Sequence, residues 1–201
     1  SRALPFVSVV ISFRSGSVHD PAGREGLSRV TARMLRRGCE GYTKEKIEET
    51  IDSLGAEFGA DTLMSGTTAS YEVIRRSLDP VTDLIATMLA KPTFAEDEIA
   101  RLLREARAEL TESRDSDRLL AGRAFRRTLF AGHPYGRRAA GTLDTLDKIT
   151  REDIVAFYKR HYTRNNAVVA MSGDVSQQEG EEIAERLLAG LPEGEAVPDP
   201  A

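Results

Sequence analysis

Between Gly26 and Gly38 the chain reads GLSRVTARMLRRG, a helical segment bracketed by two glycines. Apolar residues at 27, 30, 34 and 35 leave one stripe to bury, and Gly38 is placed to end the helix by tolerating a left-handed conformation. A helix with a single apolar stripe has to lie on another element. The β-branched run Phe6–Phe13 ahead of it, reached through the turn chemistry of Asp20 to Gly26, reads as a strand.

The alternation continues along the chain. Thr43 to Leu54 predicts a second helix with Thr43 as N-cap and Ile47, Ile51 and Leu54 on one face, although Lys46 stands where a capping-box glutamate would sit. Residues 56–74 read as two strands around Met64–Gly66, the second being Thr67–Val73. Pro80, at a first helical turn, starts a short helix over Val81–Leu89. The longest helix is predicted over Ala95–Glu112, rich in Ala, Leu, Arg and Glu. Leu119–Phe130 is another helix, followed by the turn Ala131–Gly136, a helix Arg151–His161 capped by Thr150, an apolar strand Val168–Met171 and a last helix Glu179–Ala189. Leu191–Ala201 (LPEGEAVPDPA) has three prolines, is acidic and lacks apolar periodicity. It reads as a linker with few crossing contacts, so the folded domain is expected to span residues 1–190.

Composition excludes several classes. With 201 residues and 40% hydrophobic content, the chain can bury one substantial core. A formal charge of −4 gives no global reason to expect nucleic acid or an acidic membrane as partner. No apolar run approaches the roughly 18 to 20 residues that span a bilayer. A soluble protein of the cytoplasm or periplasm is the expectation. The single cysteine, Cys39, rules out an internal disulfide and a thiolate metal site, and it reads as structural.

The segment Gly26–Gly38 resembles the motif helix of the insulinase/pitrilysin family of zinc metallopeptidases, which includes the mitochondrial processing peptidases. There the stretch runs roughly G-L-A-H-F-L-E-H-M-L-F-x-G, the inverted zinc motif H-x-x-E-H. Further segments follow the family pattern in order: SFRSGSVHDPAGREGL from Ser12, LGAEFGADT from Leu54, KPTFAEDE from Lys91, HPYGRRAAGT from His133, LDKITREDIVAFYKRHY from Leu146 and NNAVVAMSGDV from Asn165. The resemblance covers about residues 8 to 192 and implies an α+β fold of the processing-peptidase type: a mostly antiparallel sheet of five or six strands with helices packed mainly on one face. It also implies that this is the N-terminal half of a two-domain subunit, that it stops where the second half would begin, and that the first family strand is absent.

Laid on the family motif, the two histidine positions fall on Arg29 and Arg33 and the glutamate position on Ala32. The third family ligand is a glutamate, and Glu109 lies at a matching separation, 76 residues beyond Arg33. Guanidiniums have no lone pair to offer a metal and are not deprotonated in proteins, so this face should repel Zn²⁺. No catalytic residue and no metal are therefore expected in this chain. An ion pair between Glu109 and Arg29 or Arg33 is expected in place of the metal.

Other constellations are weaker. His19, His133 and His161 lack the short spacing that preorganises a zinc site. There is no G-x-S-x-G sequence, and Cys39 has no neighbouring histidine. Arg33, Arg36 and Arg37 read as a solvated face or as a contact for an acidic partner. Arg151 and Tyr158 have the spacing of the family's second-domain carbonyl-stabilising pair but lie in a different segment, so the match is discarded. The resemblance implies a non-catalytic subunit or domain, with zinc in a homologous catalytic partner or second domain, a substrate chamber, and an extended peptide as ligand. A scaffold subunit without proteolytic role, as the core subunits of the cytochrome bc1 complex illustrate, is the alternative. A metal held in a second domain beyond Ala201 is a third.

Overall fold

Four side chains of the first strand, Val7, Val9, Ile11 and Phe13, point to one side of the sheet and are buried, while the residues between them stay partly open. That alternation makes β1 (Phe6–Phe13) the centre of an antiparallel sheet with one face on the core. The computed structural model describes residues 5–113, 117–195 and 197–198. In it β1 pairs on one side with β5 (Thr67–Ile74) and on the other with β6 (Ala167–Gly173), and β4 (Glu57–Thr62) adds to β5. The order is β4-β5-β1-β6, with β4 and β6 at the edges. Two further strands, β2 (Gly38–Cys39) and β3 (Tyr42–Thr43), form a separate ribbon, so among the described residues the main sheet has four strands rather than five or six.

Helices cover mainly the face that Val9, Ile11, Ala69, Tyr71 and Val73 present. α1 (Leu27–Met34) packs on α4 (Glu96–Glu112), α7 (Arg151–His161) and β4. α2 (Lys44–Ser53) starts at Thr43, whose hydroxyl accepts the Lys46 N–H. α3 (Leu78–Ala90) and α8 (Gln177–Leu188) pack on each other, while α5 (Asp117–Leu129) packs on the turn Pro134–Gly136 and the short α6 (Leu143–Leu146) on α4. α7 and α8 open with reciprocal capping boxes, Thr150 with Asp153 and Ser176 with Glu179.

Two expectations need correcting. α1 stops at Met34, so Arg36 and Arg37 lie beyond the helix and Gly38 belongs to β2, with φ +134°. The described part of the carboxyl-terminal stretch also makes more contacts than its composition predicts. Leu191 and Val197 are buried, Arg164 and Asn165 donate backbone N–H bonds to Pro192 and Glu193, and the Asn165 amide donates to Gly194. The part of that expectation falling on residues 196 and 199–201 lies outside the described residues.

Candidate functional site

The start of α1 is set by Asp20. Its carboxylate accepts the backbone N–H groups of Gly26 (2.8 Å) and Ser28 (2.7 Å), and Gly26 takes φ +101°, a conformation a side chain would strain. Burial pushes the Asp20 carboxyl up to about 6, against the pull of these two donors. With the helix anchored there, Arg29 and Arg33 stand one turn apart on the side facing α4.

α4 brings Glu109 to them. Arg33 grips both carboxylate oxygens, Nη2 to Oε1 at 2.8 Å and Nη1 to Oε2 at 3.1 Å, and Arg29 Nη2 reaches Oε2 at 3.3 Å. Ala32 is buried on another side of α1 and lines, with Arg33, Arg36, Gly59 and Ala60, a groove of roughly 430 Å³ beside β4. The three charged positions meet, as the sequence predicts, and Ala32 does not join them.

Three further residues extend the cluster. Arg33 also reaches Glu105 at 3.6 Å, Arg37 pairs with Glu98 at 3.2 Å, and Arg37 bonds Glu105 as well. Arginines at 29 and 33 on α1, and at 37 just beyond its end, therefore form a ladder with glutamates at 98, 105 and 109 on α4. Burial raises the Glu105 carboxyl, but the hydrogen bond and charge of Arg37, with that of Arg33, outweigh it and hold the group below its ordinary range. Arg37 is not part of a solvated face: its side chain is 10% exposed and that of Glu98 11%. The signal was present as four-residue spacing of arginine and a matching run of acids on the long helix.

Zinc does not fit these residues. A zinc site needs lone-pair donors about 2.0 to 2.2 Å from the metal, three of them from protein. Among Arg29, Ala32, Arg33 and Glu109 only Glu109 offers oxygen, and both its oxygens already accept guanidinium protons. A unit-charge pair at 4 Å is worth about 4 kcal/mol at an effective dielectric near 20, so a dication at Glu109 would meet several kcal/mol of repulsion from each guanidinium.

The remaining candidates have structural surroundings. The His19 and His161 rings lie 5.1 Å apart, with His161 stacked on Phe157, while His133 accepts the Tyr135 N–H elsewhere. Burial pushes the His161 imidazole down to about 4 and the Cys39 thiol up to about 11, which keeps both neutral at pH 7. Arg151 donates to the Phe94 carbonyl and Tyr158 to that of Leu89.

Residues 2–143 match the family model described as Insulinase (Peptidase family M16), and residues 148–201 match the model described as Peptidase M16 inactive domain. The chain belongs to the insulinase family of peptidases. A crystal structure of a peptidase M16 inactive domain from Pseudomonas fluorescens superposes with a TM-score of 0.95 at 28% identity, covering 100% of this chain and 49% of that one. Sequence relatives include an uncharacterized zinc protease of Rickettsia bellii (29% identity, 96% of this chain, 47% of the relative). A non-peptidase homolog of Helicobacter pylori matches at 21% identity over 98% of this chain and 46% of its own length. The alpha subunit of potato mitochondrial-processing peptidase matches at 23% over 98% of this chain and 38% of its own. The chain thus spans about half the length, or less, of these insulinase-family relatives. The two family models meet between residues 143 and 148, yet the core runs through that point: Ile154, Phe157 and Leu187 pack in one cluster with Val9 and Ile11.

Proposed function

We propose that this insulinase-family domain is non-catalytic and forms part of a peptide-binding chamber beside a homologous catalytic subunit or domain, which carries the zinc. The observation that carries this reading is the bidentate grip of Arg33 on Glu109, reinforced by Arg29, where the family pattern would converge three metal ligands. The relatives named as a non-peptidase homolog and as an inactive domain support it.

Peptide binding rests on β4. As an edge strand it offers backbone groups to an added strand, and Gly59 and Ala60 keep the adjoining groove low-walled. Pairing through the backbone selects extended conformation more than side chains. Removing metal ligands from α1 leaves that edge unchanged.

Incubation of the purified chain with a fluorogenic peptide, with and without phenanthroline, tests the reading. No chelator-sensitive cleavage is expected, while an extended threonine–valine peptide should still bind. Cleavage by this chain that the chelator abolishes would contradict the proposal.

A further inference from the structure

α5 has no buried residue, and Leu119, Leu120, Phe125 and Leu129 on it are between 44% and 68% exposed. A helix of 13 residues gains little stability from propensity alone and relies on packing of an apolar face. One side of α5 faces the loop at 136–142 across a groove of roughly 700 Å³, within the size range of ligand sites. Arg118, Arg123, Arg126, Arg127, Arg137 and Arg138 line it. No carboxylate lines it among the described residues. Arg123 donates to Ser113 Oγ, and Arg137 donates to the backbone carbonyl of Asp20. The floor between the arginines is apolar, made by Leu119, Leu120, Ala124 and Ala139.

We infer that this groove binds an acidic peptide segment that alternates carboxylate and apolar side chains. The guanidinium fork matches a carboxylate with two parallel N–H bonds, and the forks of Arg118, Arg123, Arg126, Arg127 and Arg137 around an apolar floor suit glutamates flanking leucines. A nucleic-acid strand is a poorer fit. Among the described residues no aromatic ring on which bases could stack lines the groove, and the chain as a whole carries a formal charge of −4. The inference extends the peptide-binding part of the proposed function to a second surface, set apart from the β4 edge. It does not depend on the zinc argument.

Fluorescence anisotropy on the full chain tests it with labelled peptides of alternating Glu and Leu, of Lys and Leu, and of Thr and Val, and with oligothymidylate. The Glu–Leu peptide should bind tightest, weaken with added salt, and lose about tenfold or more in affinity in the double variant R126E/R127E, since charge-assisted pairs would be reversed. The neutral double variant R126Q/R127Q should fall between, and R76E, an exposed arginine elsewhere, should bind like the parent. All the substituted side chains are exposed, so unchanged unfolding midpoints are expected. Equal binding of the Lys–Leu peptide, tighter binding of oligothymidylate, insensitivity to R126E/R127E, or no binding of the Glu–Leu peptide would each overturn the inference. Binding of the Thr–Val peptide in the last case would leave the proposed function standing.

Discussion

Glu109 has both carboxylate oxygens occupied by guanidiniums, yet its side chain is 45% exposed and those of Arg29 and Arg33 are 39% and 25% exposed. Pairs that open to water contribute about 0 to 1 kcal/mol, so this cluster sets local charge more than it holds the fold. Glu109→Gln should accordingly shift unfolding by less than about 1 kcal/mol in urea titrations. A larger loss would mean that the pair is structural. His161 and Asp20 act oppositely on pH dependence. The folded His161 titrates near 4 against 6.5 unfolded, so the stability its neutral form supplies is present above about 6.5 and is lost as pH falls toward 4. The folded Asp20 titrates near 6 against 3.8, so stability falls as pH rises through that interval. His161→Gln removes the first effect and leaves the second. Relative to the parent, the variant should gain about 2 kcal/mol of stability between about pH 7 and about pH 4.5, as compared by urea midpoints. Identical pH dependence in the two proteins would refute the assignment to His161.

At the scale of elements, the ladder between α1 and α4 is uneven. Arg37 and Glu98 are the nearly buried rung, and Arg101 reaches Glu98 from outside at 3.1 Å. Arg37→Ala strands a buried carboxylate with partial relief from Arg101 and should cost about 2 to 3 kcal/mol, whereas Arg29→Ala should cost under about 1 kcal/mol. Equal costs in the same denaturation series would show that burial does not grade the ladder. Most elements were legible because their signals are local. Thr150 caps α7 as side-chain chemistry requires, and the β-branched run FVSVVISF forms β1. The end of α1 was not legible. Arg36 and Arg37 are good helix formers, but Arg36 turns to the Phe58 carbonyl and Arg37 to α4, and these tertiary contacts override propensity. The meeting of Glu109 with two arginines was read from family resemblance and charge. The part played by Arg37, Glu98 and Glu105 shows in the sequence only as a spacing of charges, because which of them pair depends on where α1 ends and how it lies on α4.

For the whole molecule, one core joins residues from β1 to α8, and the family match spans both of its halves. The sheet was read as antiparallel with helices mainly on one face. Its division into four strands and a separate ribbon escaped, because β2 and β3 have only two residues each and no period to detect. The contacts of the carboxyl-terminal stretch are not legible in composition, because proline and acidic residues suggest few of them, whereas backbone bonds to Arg164 and Asn165 and burial of Leu191 leave no such trace. Across this domain the proposed role depends on α1 presenting guanidiniums where a peptidase of this family would present imidazoles. Calorimetric titration of zinc into the chain, beside the triple variant R29H/A32E/R33H, measures that directly. The parent should show no binding at zinc concentrations where the variant, with two imidazoles beside Glu109, takes up one ion per chain. One zinc bound by the parent, and lost in Glu109→Gln, would contradict the account.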